Sequence, residues 1–158
     1  MKNHMPFQRP LWFGSRLVVL AAMAASLLAL ALAAPVLASS PRSGALLITK
    51  ECSQYTGLAD SFCTITSSNL DAITPGSKVV YFQAAGATVL DSDIAVVVGA
   101  GNRALGHVYL PGNGPGVVTL SGGTGKFVHF QASVVVTTTD PLGIVWSWDG
   151  AYRFSPED

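Results

Sequence analysis

Beyond residue 44 the chain alternates apolar and polar residues in short runs with a period of two. That is the spacing of side chains on a half-buried strand. Runs rich in β-branched and aromatic residues predict strands at Ala45–Thr49, Phe62–Ser68, Lys78–Gln83, Ile94–Val98, Leu105–Leu110, Gly116–Leu120, Lys126–Thr138 and Ile144–Phe154. Thr88–Asp91 reads either as a further short strand or as the edge of a loop. Between the runs lie Thr74-Pro75-Gly76-Ser77, Gly99-Ala100-Gly101-Asn102, the Gly/Pro-rich stretch 111–116 and Asp140-Pro141-Leu142-Gly143. These are turns for a physical reason: glycine reaches positive φ without a steric cost, and proline presets φ. No amphipathic helix follows the N-terminal segment, so roughly eight strands with frequent turns point to an all-β barrel or sandwich.

The last two runs are the most regular. In the final one, Ile144, Trp146, Trp148, Tyr152 and Phe154 share a face opposite Ser147, Asp149 and Arg153. In the one before, Val128, Phe130, Ala132, Val134 and Val136 share a face opposite Phe127, His129, Gln131 and Ser133. One face packs; the other meets solvent, a ligand or a partner. Alternation alone does not say which face is the barrel interior.

The N-terminus carries a different pattern. Met1 to Arg16 holds Lys2, Arg9 and Arg16 and no acid, and Leu17 to Ala38 is almost wholly apolar. A basic start, an apolar middle and small residues at the end make a secretory signal, with Val36 and Ala38 at the cleavage positions. The expected organisation is a signal peptide over residues 1–38 and a single domain over 39–158. An uncleaved membrane anchor is the rival, because about 20 apolar residues can span a bilayer. Pro35 and the small residues around it favour cleavage, which leaves a secreted or periplasmic protein free of the membrane.

Export changes the meaning of the charge balance. Three of the nine basic residues lie in the leader and all nine acidic residues lie beyond it, so the exported part carries a net −3. A weakly acidic domain without a basic cluster makes a poor partner for nucleic acid. Cys52 and Cys63, both in the exported part, favour a disulfide in an oxidising compartment. Two cysteines without a compact histidine pair do not supply the usual zinc ligands, and no metal or cofactor is expected.

Two glycine motifs fail on their context. Gly99-x-Gly101-x-x-Ala104 follows a strand as a dinucleotide fingerprint does, but Gly106 and Pro111 leave no room for the required helix. No acid lies between Asp93 and Asp140 to hold a ribose, so a hairpin loop is the better reading. The stretch Gly122-Gly123-Thr124-Gly125-Lys126-Phe127 lacks the earlier glycine and the final Ser or Thr of a phosphate loop. It reads as a tight turn feeding a strand.

The runs G-H-V-Y-L at 106–110, V-T-L-S-G-G-T-G-K-F-V-H-F-Q-A-S-V-V-V at 118–136 and W-S-W-D-G-A-Y-R-F at 146–154 resemble the dirigent and allene oxide cyclase-like barrel superfamily. The resemblance covers roughly Asp93 to Phe154. It implies an eight-stranded, calycin-like antiparallel barrel and a homo-oligomer, trimer or dimer. It also implies that Gly122, Gly123, Thr124, Gly125 and Phe127 are structural. Plant relatives cyclise a fatty-acid epoxide or orient phenoxy radicals; their catalytic residues do not align with this chain.

The chemistry left over is sparse. His107 and His129 sit on strands that could be neighbours, where they would be an acid–base pair or ordinary polar residues. Asp91 and Asp93 flank Ser92, as cation ligands or as a solvated turn. Asp149 before Gly150 marks either an acid or a bulge. The aromatic residues Trp146, Trp148, Tyr109, Tyr152 and Phe130 either fill the core or line a pocket for a small apolar molecule. Tyr109, His129, Trp146, Trp148 and Asp149 are the candidate ligand contacts. The expected function is binding of a small apolar or aromatic ligand, or an oligomeric scaffold, without chemistry. The alternatives are an isomerase or cyclase and a surface-interaction protein with a filled barrel.

Overall fold

A computed structural model describes residues 42–112 and 114–155. The segment read as a signal peptide, with its cleavage site, lies outside the described residues. Eight strands run in chain order: β1 (Ser43–Glu51), β2 (Phe62–Ser68), β3 (Lys78–Tyr81), β4 (Val89–Val97), β5 (Arg103–Pro111), β6 (Gly116–Thr124), β7 (Phe130–Thr137) and β8 (Val145–Phe154). Each pairs antiparallel with the next, and β8 closes on β1, so the sheet is a closed barrel. Closure leaves no free sheet edge.

Alternation decides what faces inward. Leu46, Ile48 and Lys50 on β1, Cys63 and Ile65 on β2, and Val79 and Tyr81 on β3 are buried, as are Val118 and Leu120 on β6, Val134 and Val136 on β7 and Trp148 on β8. The tryptophan face of β8 is therefore the interior. Gly150 lies on that face in unbroken register, opposite Leu46 on one side and Val134 on the other, so there is no bulge at Asp149. A Cβ there would sit 2.1 Å from the Ser133 carbonyl oxygen, so the close approach of β7 requires glycine. Register does shift at Thr49/Lys50 against β2 and at Ala104/Gly106 against β5's other neighbour, β6. Such bulges bend strands and help a small barrel to close.

The glycine-rich turn lies later than its composition suggests. Ser121 to Thr124 still belong to β6, and a short 3-10 turn over Gly125–Phe127 makes the corner. The single strand expected over Lys126–Thr138 is thus two pieces. The break swaps the inside and outside positions: Phe127 is buried and Val128 exposed, the reverse of the simple alternation. The corner is seated on the β4–β5 loop. Thr124 Oγ1 donates to the Gly101 carbonyl at 2.8 Å, and the Lys126 N–H donates to Asn102 Oδ1 at 3.1 Å. Gly99 and Gly101, the apparent nucleotide fingerprint, form that hairpin loop, with the Val98 N–H bonded to the Asn102 carbonyl.

Candidate ligand-binding site

The strand order puts loops 52–61, 82–88, 112–115 and 138–144 at one end of the barrel. Loops 69–77 and 98–102 and the 125–129 corner lie at the other. The second end is shut by Leu70, Ile73 and Phe127, all buried. The first end opens into a cavity of about 540 Å³ whose wall includes Lys50, Tyr55, Tyr81, Trp146 and Trp148. A groove of about 580 Å³ between the loops lies beside it and shares Leu90, Leu110 and Trp146 with it.

Lys50 is the chemical centre of the cavity. It continues the inward phase of Leu46 and Ile48, and the β1 bulge sets it opposite Ile65. The residue is only 4% exposed. Its Nζ donates to the Tyr81 hydroxyl at 2.5 Å and lies 3.7 Å from both sulfurs of the Cys52–Cys63 disulfide. Three rings surround it, with centroids 5.3 Å (Tyr81), 5.7 Å (Trp148) and 5.9 Å (Trp146) from Nζ. Cation–π attraction of this kind compensates a charge only in part. Among the described residues the ion pairs are those of His107, so no carboxylate balances Lys50. Burial consequently brings the Lys50 ammonium down to a pKa of about 7. Burial also pushes the Tyr81 phenol above its ordinary value, as does the nearby Tyr55, and burial raises Tyr55 itself.

Two further polar atoms are left over in the same wall. The Tyr55 hydroxyl and Trp148 Nε1 are buried without a hydrogen-bond partner among the described residues. An unmet buried donor costs about 1–3 kcal/mol. Trp146, in contrast, is satisfied: its Nε1 donates to the Gly143 carbonyl at 2.7 Å. That bond ties it to the 138–144 loop, itself organised by Asp140. The Asp140 carboxylate accepts the N–H groups of Val145, Ile144 and Leu142, which lower its pKa.

The structure brings Trp146 and Trp148 together at the cavity and leaves the other candidates outside it. Tyr109 is 52% exposed on the outer face, paired with Val117. Asp149 is exposed on the outer face, between Val135 and Leu47. His129 is exposed at the corner before β7, with φ 60°. His107 lies on β5, with β6 between it and β7, so the two histidines are not paired on adjacent strands. Instead His107 bridges two carboxylates on the outer face, Asp91 at 2.9 Å and Asp93 at 3.0 Å. Ser92 points inward, hydrogen-bonded to Gln83. Tyr152 and Phe130 belong to the core. The disulfide joins Cys52 and Cys63 and forms part of the cavity wall.

Lys50, Tyr55 and Tyr81 were not candidates in the sequence. The signal for Lys50 was present: it stands one period beyond Leu46 and Ile48, just past the expected end of the strand. Tyr81 stands likewise in phase with Val79. Compared with known proteins, the chain matches no family model, no curated protein and no solved structure.

Proposed function

We propose that this barrel binds one small, largely apolar or aromatic molecule that presents an oxygen acceptor to the inner wall. The observation that carries this reading is an aromatic cavity whose wall holds Lys50, which no carboxylate among the described residues balances, and Trp148, whose N–H is unmet among those residues. Pockets of this kind fix orientation with a few polar groups and obtain affinity from apolar contact. A scaffold with a filled barrel would have no use for unmet donors within its wall. The disulfide supports an exported, non-cytoplasmic setting. The closed eight-stranded meander and the glycine corner also support kinship with the dirigent and allene oxide cyclase-like barrels.

Methyl cinnamate, a neutral aromatic ester, serves as the probe. It is expected to quench tryptophan fluorescence saturably, and Trp148→Phe is expected to weaken it by about fivefold through loss of one hydrogen bond. Native mass spectrometry of protein taken from its own host should show an organic adduct of small mass. No adduct, with no saturable quenching by the ester, would sink the binding reading and leave the scaffold.

A further inference from the structure

We propose that Lys50 captures aldehydes or ketones covalently, so that the cavity holds its carbonyl ligand as a reversible imine. The inference rests on the binding reading above and names the class of ligand.

A buried lysine in the wall of an aromatic cavity has few chemical roles. A buried lysine held as a structural cation is ordinarily paired with a carboxylate, and none of the described acids supplies one. An anion-binding lysine would favour its charged form, whereas burial favours the neutral amine here. The groups facing Nζ are the Tyr81 phenol from β3, Tyr55 from loop 52–61, the disulfide from loop 52–61 and β2, and two indoles from β8. None is an anion at neutral pH, since both phenols are raised above their ordinary range. A neutral amine desolvated in an apolar pocket is a nucleophile.

The surrounding donors fit the other half of the reaction. The Nζ lone pair forms the C–N bond while the carbonyl π pair moves to oxygen. One amine proton passes to that oxygen and gives a carbinolamine. The nitrogen's second proton and the hydroxyl group then leave as water, and C=N forms. Both protons needed come from the amine, so no oxidant or further reactant enters. Developing negative charge on the oxygen calls for a hydrogen-bond donor nearby. Three groups offer one: the Tyr81 hydroxyl at Nζ, the unmet Tyr55 hydroxyl, and the Trp148 N–H. The indoles and Leu90 and Leu110 would receive the apolar remainder of the molecule.

The test treats the disulfide-intact protein with cinnamaldehyde and cyanoborohydride near neutral pH and maps the product by peptide mass spectrometry. The expected result is a reduced adduct at Lys50, formed at least about tenfold faster than at the exposed Lys78 or Lys126. Labelling should rise with pH through a midpoint near 7. Lys50→Arg keeps the charge and removes the nucleophile, and Lys50→Met removes both; neither should be labelled at this site. Circular dichroism identifies whichever variant folds. Even labelling across the three lysines would overturn the proposal. So would saturable quenching by methyl cinnamate without any Lys50 adduct from the aldehyde, an outcome that leaves the binding reading standing. Failure of both probes would remove both readings together.

Discussion

The two ends of the barrel use aromatic residues for opposite purposes. At the closed end Phe130 lies against Phe127, Tyr152 and Phe154, with centroids 5.4, 6.1 and 4.9 Å away. These rings pack edge-on or tilted against one another and fill the space. At the open end Tyr81, Trp146 and Trp148 face an amine instead, and a cavity is left between them. One strand, β8, contributes to both sets: Trp146 and Trp148 at the open end, Tyr152 and Phe154 at the closed end. Equal hydrophobicity and equal periodicity therefore produce a plug at one end and a site at the other. What separates them is the Lys50 amine, which the open-end rings surround.

Truncation at each end sharpens the contrast most. Phe130 is fully buried, so Phe130→Ala is expected to cost about 3–5 kcal/mol by urea denaturation, through lost transfer energy and a cavity. Trp146 is half-buried and borders the cavity, so Trp146→Ala is expected to cost only about 1–2 kcal/mol while weakening methyl cinnamate. Equal destabilisation by the two changes would break the comparison, because it would make the open end a core as well.

The disulfide comes next in size. It closes a loop with sequence separation 11, which limits the unfolded chain by about 3 kcal/mol. Cys52→Ser with Cys63→Ser should lower stability by that amount. The open end should also suffer selectively, because both sulfurs lie 3.7 Å from Nζ. Cinnamaldehyde labelling at Lys50 is expected to fall, while hydrogen-exchange protection of β6 and β7 near Phe130 persists. Uniform loss of protection at both ends would show that the bridge serves the whole barrel rather than the site.

The contrast between the ends was only partly legible in the sequence. Alternation and β-branched content marked part of every strand, because a closed barrel has one wet and one dry face. They split β4, however: the stretch 89–91, read as a separate short strand or a loop edge, is its first part, and Ile94, Ala95 and Val96 are buried in succession. The bounds of β2 were legible to the residue, since a loop of polar and small residues precedes it and a turn follows. Alternation also carried its own warning about the site. Asp149 and Trp148 are adjacent on one strand, so both could not face one cavity, and the structure puts the indole inside. The corner at Gly125–His129 was hidden because Phe127, Val128 and Phe130 keep the composition of a strand through a turn that reverses two of them. Lys50 was hidden for a deeper reason. Lysine is almost never fully buried unless paired, and only the geometry of closure shows that Lys50 is buried and that none of the described carboxylates meets it.

The smallest effect tests the electrostatics of the open end by pH. Unfolded, a lysine titrates near 10.4; folded, Lys50 titrates near 7, lowered by burial. Between those values the unfolded chain binds more protons than the folded one, so stability must rise with pH. The contribution is complete above the unfolded value and is lost as pH falls through about 7. Tyr55 and Tyr81 act in the other direction. Their folded values are raised, so the stability they contribute is present below the unfolded phenol value near 10 and is lost above it. The window that isolates Lys50 is therefore pH 7 to 9, where it should add about 2 kcal/mol in urea denaturation. Lys50→Met should flatten that rise, and Phe130→Ala, at the closed end, should lower the whole curve without changing its slope. A slope that persists in Lys50→Met would come from another titrating group, and the two ends would then differ in shape alone.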